Sequence, residues 1–309
     1  MNRVPSPVSV LVTWDIDPDS WLSVETRLKA LESVRQLCAA HDISATFFFT
    51  AKLAETYQHQ FGPMQEAGHE IGCHGLTHGN EENYDRMPQD QQLTYIQQST
   101  EALQTLIGGP LRTFRSPRVK ISALTLRLLA EYGYRADSSV CSQRMDVLSS
   151  NLINPGWLIA PRRPYHPHTA NAFRAGDVPL WEIPISAVIV PFISTTMRVF
   201  GLGAMKTLFK LLYWEARYTG KPIVYLAHPT EFLGKTGNNP KAWRQFVRLR
   251  ELKPSYIRTH GLRMRNLLYI AGGQKLLDYT NRLFAYMSSF PGVTFMTVNE
   301  YVTHLEKVK

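Results

Sequence analysis

The sequence has few cysteines, three in 309 residues, and they lie far apart. Cys38, Cys73 and Cys141 form no CxxC pair, so the sequence indicates neither a zinc finger nor a disulfide framework. This usage is typical of a protein that stays in a reducing compartment.

Long apolar runs are missing as well. The first apolar stretch, Val8–Thr13, is too short for the core of a signal peptide, and no small-residue cleavage site follows it. The apolar residues Ile183–Phe200 are interrupted by Pro184, Pro191 and Arg198, which argues against a membrane-spanning helix. The sequence therefore predicts an unexported, cytoplasmic protein.

Acidic residues are outnumbered by basic ones, since the chain has 25 aspartates and glutamates but 34 lysines and arginines. Its net charge is therefore +9. Such a balance indicates either a solvated basic face or an anionic partner, namely phosphate, an acidic membrane surface or nucleic acid. No motif that reads DNA or RNA accompanies the charge, so no nucleic-acid partner is expected. Much of the excess lies late in the chain, at Lys235, Lys241, Arg244, Arg248, Arg250, Lys253, Arg258, Arg263 and Arg265.

Strand and helix signals alternate over the first part of the chain, and this pattern predicts an α/β fold with a barrel or an open parallel sheet. The predicted strands are Val8–Thr13, Ala45–Thr50, Glu70–Cys73, Thr113–Arg115 and Tyr134–Asp137. The predicted helices between them are Glu25–His41, Leu53–Ala67, Pro88–Ile107 and Ser122–Tyr132. In parallel α/β barrels, active sites lie at the carboxyl ends of the strands.

The second half is less regular. The segment Ser149–Asp177 is rich in Pro, Arg and His and predicts a loop-rich insertion. No repeat or linker is evident, so one domain is predicted over residues 1–309, with its core motifs in 8–232 and a basic helical extension and closing strand in 233–309. Regular signals return at Leu180–Ile183, Ile223–Leu226, Val293–Thr297 and the terminal helix Asn299–Lys307.

A further helix is predicted over Leu202–Trp214, with one apolar face. Such a face either packs on the core of the protein or lies on an anionic membrane. The face consists of Leu202, Met205, Leu208, Phe209 and Leu212.

Two acidic residues, Asp15 and Asp17, end the first strand, and two histidines, His74 and His78, follow the third. We expect the two carboxylates, which only Ile16 separates, to point in different directions and to serve as metal ligand and base. Glycines around the histidines favour a tight loop over a helix. Asp17, His74 and His78 would form a two-His, one-carboxylate site with positions left open for water and substrate, which is a catalytic arrangement.

Zinc is the first choice of ion for this ligand set, although other divalent first-row metals accept the same donors. Zinc lowers the pKa of a bound water to ~7, and Asp15 is near enough in sequence to complete its deprotonation. From the residues alone, Asp15 could equally cap a helix or form a turn, and the histidines could be unrelated surface residues.

With these motifs the chain resembles the polysaccharide deacetylase (NodB-homology) family. The resemblance covers residues 8–232, and Val293–Thr297 fits the family's closing strand. It implies a distorted (β/α) barrel and metal-dependent hydrolysis of N-acyl groups on sugars. The motifs stand in the family's order as Thr13-Trp-Asp-Ile-Asp17, His74-x-x-x-His78, Arg115-Ser-Pro117, Asp137 and Leu226-Ala-His228-Pro229.

The resemblance also implies roles for single residues. Asp15 would be the general base, with Arg115 orienting it, and the metal-bound water would be the nucleophile. Asp17, His74 and His78 would hold the metal.

On the other side of the reaction, His228 would be the general acid that protonates the departing amine, and Asp137 would hold and tune it. Pro117 and Leu226 would line the substrate pocket. Amide hydrolysis needs such an acid because an amine is a poor leaving group.

Three departures from the family pattern leave the substrate open. Ile16 separates the two aspartates, as in a subgroup that acts on peptidoglycan, lipid-linked sugars or small amides. Arg115-Ser-Pro117 lacks the glycine that usually closes its motif. Cys141 stands where the family often has a tryptophan after the aspartate of the fourth motif, here Asp137.

The leading hypothesis is a metal-dependent hydrolase that removes an N-acyl group, most simply N-acetyl, from an amino sugar of a glycan or lipid-linked precursor. The missing export signal and the basic charge favour an intracellular precursor, such as a sugar on a polyprenyl phosphate, as in the related aminoarabinose-lipid deformylases. The late arginines would then meet phosphate, while Leu202–Trp214 rests on the inner face of the membrane.

Two alternatives remain. The first is an allantoinase-like hydrolase of small cyclic or linear amides, although those relatives often lose the metal ligands. The second is a non-catalytic glycan- or lipid-binding module on the same fold, which would need neither Asp15 nor His228.

Overall fold

The computed structural model describes residues 7–145, 154–233 and 268–308. The elements of the first half are β1 (Val8–Ile16), α1 (Val24–Ala39), β2 (Ala45–Phe49), a 3₁₀ helix (Ala51–Tyr57), α2 (Gln58–Glu66), β3 (Glu70–Cys73), α3 (Gln89–Ile107), β4 (Thr113–Phe114), a 3₁₀ helix (Pro117–Val119), α4 (Ala123–Glu131) and β5 (Ala136–Asp137). Those of the second half are α5 (Pro155–Ile159), β6 (Pro167–His168), β7 (Asn171–Ala175), β8 (Trp181–Glu182), β9 (Ala187–Val188), β10 (Val190–Pro191), α6 (Ser194–Thr219), β11 (Ile223–Ala227), a 3₁₀ helix (Pro229–Phe232), α7 (Gln274–Ser288), β12 (Val293–Phe295) and α8 (Val298–Val308).

A curled parallel sheet forms the centre of the fold, in the order β11-β1-β2-β3-β4-β5-β8, with β12 beside the start of β1. The ends of the sheet approach each other, because the Ser186 amide donates to the Val224 carbonyl at 3.3 Å. The predicted distorted barrel is confirmed. β2, with the sequence ATFFF, is buried along its whole length, as expected of a strand covered on both faces.

Helices cover the outside of the sheet, and local sequence signals set several of their ends. Ser23 and Ser122 cap α1 and α4 by accepting the amide hydrogens of Thr26 and Thr125. Gly108 ends α3 in the left-handed conformation, with φ of 66°. The predicted helix at residues 53–67 is instead a 3₁₀ helix followed by α2.

The predicted insertion contains more regular structure than its composition indicated. Within it, α5 packs on the hairpin of β6 and β7, and Tyr165 O–H donates to the Ala172 carbonyl at 2.7 Å. The sequence-based prediction missed these elements because each is only two to five residues long. Whether the chain forms one domain stays a prediction, since the basic segment 234–267 lies outside the described residues.

Helix α6 contains the predicted helix Leu202–Trp214 and extends it at both ends. Its apolar face, defined above, is buried against the core, so the membrane interpretation of that face is wrong. Across the described ranges, every helix is too short or too polar to cross a lipid bilayer.

Candidate active site

The candidate catalytic residues follow the carboxyl ends of neighbouring strands. Asp15 lies in β1 and Asp17 directly after it, while His74 and Arg115 directly follow β3 and β4. Asp137 ends β5, and His228 follows β11, which pairs with β1. Because all these strands are parallel, their ends meet at one edge of the sheet.

Three predicted metal ligands converge on one point. Asp17 Oδ1 lies 3.3 Å from His74 Nε2 and 3.4 Å from His78 Nε2. The ligand atoms of Asp17, His74 and His78 all lie within 4.8 Å of one another. Tetrahedral zinc with bonds of about 2.0–2.1 Å keeps its ligands about 3.3 Å apart, so this spacing fits one ion.

The surroundings of Asp17 also fit a cation. Its Oδ1 atom is buried without a hydrogen-bond partner, although a buried carboxylate oxygen normally has one. Burial raises the pKa of Asp17, but the neighbouring rings of His78, His74 and His228 outweigh burial and hold the pKa well below its usual value. The carboxylate is therefore ionised and available as a ligand.

The ring of His74 is fixed by a backbone contact. Its Nδ1 lies 2.8 Å from the Arg115 carbonyl, so Nδ1–H donates there and Nε2 is left for a metal. Burial lowers the pKa of His74, but the nearby Asp15 and Asp17 carboxylates raise it overall. At His78 burial prevails over the charge of Asp17 and lowers the pKa, which favours the neutral, ligating form.

The loop that carries the histidines is organised around the buried Glu82. Its carboxylate accepts the backbone N–H groups of Leu76, Thr77 and His78 at 2.6–2.7 Å. Tyr84 O–H donates to the same carboxylate at 3.0 Å. These bonds hold His78 in a left-handed conformation, with φ of 55°, that a non-glycine residue seldom adopts.

The predicted pair of Asp15 and Arg115 forms in the interior. Arg115 Nη1 donates to Asp15 Oδ1 at 2.8 Å, and both side chains are buried. The guanidinium also donates to the Thr13 hydroxyl and to the Ser138 carbonyl and hydroxyl, and it lies over the Phe48 ring. With its donors engaged in this way, Arg115 holds Asp15 in one orientation.

The expected divergence of the two aspartates is wrong. His74 Nε2 lies 3.9 Å from Asp15 Oδ2 and 3.3 Å from Asp17 Oδ1, so both carboxylates face the same histidine. Residues two apart in an extended strand share a face, and that periodicity continues through Ile16. The separate roles therefore depend on partners, Arg115 for Asp15 and the histidines for Asp17.

His228 lies at the same site, but the predicted contact with Asp137 is not found among the described residues. His228 Nε2 lies 3.8 Å from Asp17 Oδ2, and its Nδ1 lies 3.9 Å from Glu231 Oε1. Burial lowers the pKa of His228, but the charges of Asp17 and Glu231 prevail and raise it, which favours a protonated ring.

Asp137 is instead engaged with residues around β5 and β8. Its carboxylate accepts the backbone N–H and the hydroxyl of Ser139 at 3.0 and 2.8 Å. Burial, together with the charge of Asp137, raises the pKa of the neighbouring Glu182 well above its usual value. This shift favours a proton on Glu182, whose side chain lies in hydrogen-bonding contact with Asp137.

The two predicted pocket residues lie close to the site. Pro117 is buried against Gly75, where a Cβ atom would come within 2.8 Å of the proline ring. Leu226 is 6% exposed and pairs with Thr13 of β1. Their contact with substrate stays a prediction.

Sequence reasoning missed Glu82, Glu182 and Glu231. Glu82 stands four residues after His78, and Glu231 three residues after His228. These short spacings are the signal in the sequence that could have placed both carboxylates beside the histidines. Glu182, by contrast, meets Asp137 only through the pairing of β5 with β8.

Comparisons with known proteins show which family and which solved structures the chain is similar to. Residues 2–136 match the family model described as polysaccharide deacetylase, which confirms the predicted resemblance. A peptidoglycan deacetylase of Helicobacter pylori is 30% identical over 105 residues, which are 34% of this chain and 35% of that protein. The alignment thus spans about a third of that relative.

Two solved structures share the fold across almost the whole chain. A Mycobacterium smegmatis protein assigned to the polysaccharide deacetylases has a TM-score of 0.64 and 15% identity, covering 100% of this chain and 93% of its own. PuuE allantoinase has a TM-score of 0.62 and 15% identity, with coverage of 97% and 90%. At this identity both establish the fold alone.

The family match includes the metal cluster, Asp15 and Arg115 but ends at residue 136, before Asp137 and His228. The carboxyl-terminal part of the site therefore depends on the geometry described above.

The role of Glu82 can be tested by Glu82→Gln. We expect zinc affinity to fall about 10–100-fold, because the amide keeps one acceptor oxygen and turns a donor toward the backbone N–H groups that position His78. Isothermal titration of the metal-free protein with Zn²⁺ measures this.

Glu81→Gln is the matched control, since Glu81 is exposed and accepts from the Thr77 hydroxyl at 3.1 Å rather than from the backbone of the loop. Equal zinc affinities for the Glu82 and Glu81 variants would contradict the positioning role of Glu82.

Proposed function

We propose that the chain is a member of the polysaccharide deacetylase family, which residues 2–136 match, and a metal-dependent hydrolase of the carbon–nitrogen bond in an N-acylated amino sugar. N-acetyl is the simplest acyl group, and the peptidoglycan deacetylase relative supports a glycan substrate. The divalent ion would be Zn²⁺ or another first-row metal with the same ligand preference.

The observation that carries the proposal is the position of a base and an acid beside the ligand cluster. Asp15 Oδ2 lies 3.9 Å from His74 Nε2, and His228 Nε2 lies 3.8 Å from Asp17 Oδ2. Both groups are within reach of a substrate that sits at the cluster.

Each group has a task in amide hydrolysis. Asp17, His74 and His78 would hold the metal, which would supply Lewis-acid activation of water and of the acyl oxygen. Asp15, oriented by Arg115, takes the proton of the attacking water. His228 then delivers a proton to the nitrogen, so that the amine leaves in a neutral form.

The two alternatives predict different behaviour at the same site. An allantoinase-like hydrolase shares the fold to the same degree, but the intact ligand cluster favours a metal-dependent reaction. A binding module would have no use for the buried Asp15–Arg115 pair, because holding a base in one orientation serves chemistry.

The proposal is tested with Asp15→Asn and His74→Ala. Asp15→Asn should lower acetate release from N-acetylated sugars at least about 100-fold, because the base is lost, while zinc remains near one per chain. His74→Ala should lose both zinc and activity. Acetate or formate release from a panel of N-acetyl and N-formyl sugars is measured together with metal content.

The control is Asp42→Asn, the same change at an exposed position outside the site. Full activity of the wild type after chelation would exclude the metal-dependent reaction and favour the allantoinase-like alternative. Loss of zinc in Asp15→Asn would show that the roles of the two aspartates are misassigned.

For the substrate, we further propose a membrane-borne sugar, such as one linked to a polyprenyl phosphate, reached from the cytoplasmic side. Exposed apolar side chains near the carboxyl ends of the strands support this. Trp21 is 77% exposed in the loop after β1, and Ile189 is 64% exposed between β9 and β10. Phe200, Leu233 and Ile270 are exposed on neighbouring segments, so a lipid surface could bury them together.

This contact is tested by flotation with vesicles of anionic phospholipid. The wild type should float with the vesicles, because its net charge of +9 attracts them and its apolar side chains insert. The double substitution Trp21→Ser and Ile189→Ser should reduce the floating fraction several-fold.

Tyr218→Ser is the control, because Tyr218 is 85% exposed but lies near the end of α6, at the opposite end of the barrel from the site. If no wild-type protein floats, the membrane-borne substrate is excluded. If the double variant and Tyr218→Ser lose the same fraction of floating protein, the face that carries the candidate site is not the face that binds the membrane.

A further inference from the structure

The predicted acid, His228, has two ring nitrogens in different surroundings. Nε2 faces the ligand cluster, 3.8 Å from Asp17 Oδ2. Nδ1 faces away from it, 3.9 Å from Glu231 Oε1, and is buried without a hydrogen-bond partner. Buried ring nitrogens normally have a hydrogen-bond partner, and catalytic hydrogen bonds are often long in the absence of substrate, so the group that faces Nδ1 is the candidate partner.

The carboxylate that faces Nδ1 is itself held in place. Arg198 Nη1 donates to Glu231 Oε1 at 3.0 Å, and both side chains are largely buried. The Arg198 guanidinium lies 3.7 Å from the centre of the Tyr269 ring. The Arg198 carbonyl accepts the Ile270 amide hydrogen at 2.8 Å, so α6 and the segment before α7 fix this arginine together.

Glu231 retains acceptor capacity for His228. Its Oε2 atom is buried and lacks a donor at full hydrogen-bonding geometry, with the Ser194 side chain beside the carboxylate. Glu231 is the carboxylate that faces Nδ1 of His228. Asp137, the residue predicted for this contact, is engaged with Ser139 and Glu182 instead.

We propose that Glu231, held by Arg198, is the positioning residue of His228 and takes the part that the family resemblance assigned to Asp137. This inference rests on the proposed function. Glu231 accepts the Nδ1 proton, so that Nε2 carries its own proton toward the substrate nitrogen.

The consequence depends on the leaving group. In amide hydrolysis water adds its oxygen to the acyl carbon, the carbon–nitrogen bond breaks, and the Nε2 proton passes to the departing nitrogen. A nitrophenolate leaves an acetate ester without protonation, so ester hydrolysis does not need the acid. Loss of the acid's orientation should therefore slow the amide reaction much more than the ester reaction.

The test compares Glu231→Gln with Asp137→Asn on two probes, an N-acetylglucosamine tetramer and 4-nitrophenyl acetate. In Glu231→Gln the amide oxygen turns to Arg198 and the NH₂ group faces Nδ1, which no longer finds an acceptor. The amide-to-ester ratio of kcat/KM should fall at least about tenfold, mainly through kcat. Asp137→Asn should leave this ratio unchanged, even if both rates fall.

Arg198→Met provides a second route to the same result, because it releases Glu231 without replacing it, and the ratio should again fall. His228→Ala, which removes the acid altogether, gives the largest expected fall in the amide-to-ester ratio. Zinc content and thermal unfolding are measured for each variant to separate misfolding from misorientation.

An unchanged ratio in both Glu231→Gln and Arg198→Met would overturn the inference, as would a selective amide loss in Asp137→Asn. If the wild type hydrolyses the ester but releases no acetate from the tetramer or any other N-acyl sugar, the proposed function fails and the inference fails with it. An active wild type with unchanged variant ratios overturns the positioning role alone.

Discussion

The candidate site depends on a single buried oxygen. Asp17 Oδ1 lies between two imidazole nitrogens, at 3.3 and 3.4 Å, and has no hydrogen bond of its own. Leaving such an acceptor unsatisfied in the interior costs about 1–3 kcal/mol, and more for a charged group. A divalent cation would remove that cost and fix His74 and His78 together, which explains why the surrounding structure holds all three ligands in place.

His74, Asp15 and the loop of His78 are each oriented by a further contact. The Arg115 carbonyl fixes the His74 ring, while the Arg115 side chain fixes Asp15. Glu82 organises the loop of His78 through three backbone N–H groups. The site is therefore built from backbone and carboxylate contacts at the ends of parallel strands, so the barrel itself provides the preorganisation that the proposed hydrolysis would require.

Much of this could be predicted from the sequence, because the signals were local. Buried strands such as Ala45–Phe49 and helix caps such as Ser122 show directly in residue order. The convergence of Asp17, His74 and His78 followed from their places after parallel strands. The predicted divergence of the two aspartates was wrong, because residues two apart in an extended strand share a face and β1 continues to Ile16.

Other errors arose where partners come from distant segments. Asp137 was assigned to His228 by family resemblance, but its contacts are with Ser139 and with Glu182 of the neighbouring strand. The position of Glu231 depends on Arg198, which lies in α6, 33 residues earlier in the chain. Contacts of this kind depend on three-dimensional packing, and a single sequence carries no pattern for them.

The most direct test of the central claim is zinc K-edge X-ray absorption of the protein loaded with one equivalent of zinc. The account predicts two imidazole nitrogens and carboxylate or water oxygens at about 2.0–2.1 Å, with one imidazole lost in His78→Ala. Thiolate scattering at about 2.3 Å, or a spectrum that His78→Ala leaves unchanged, would contradict it.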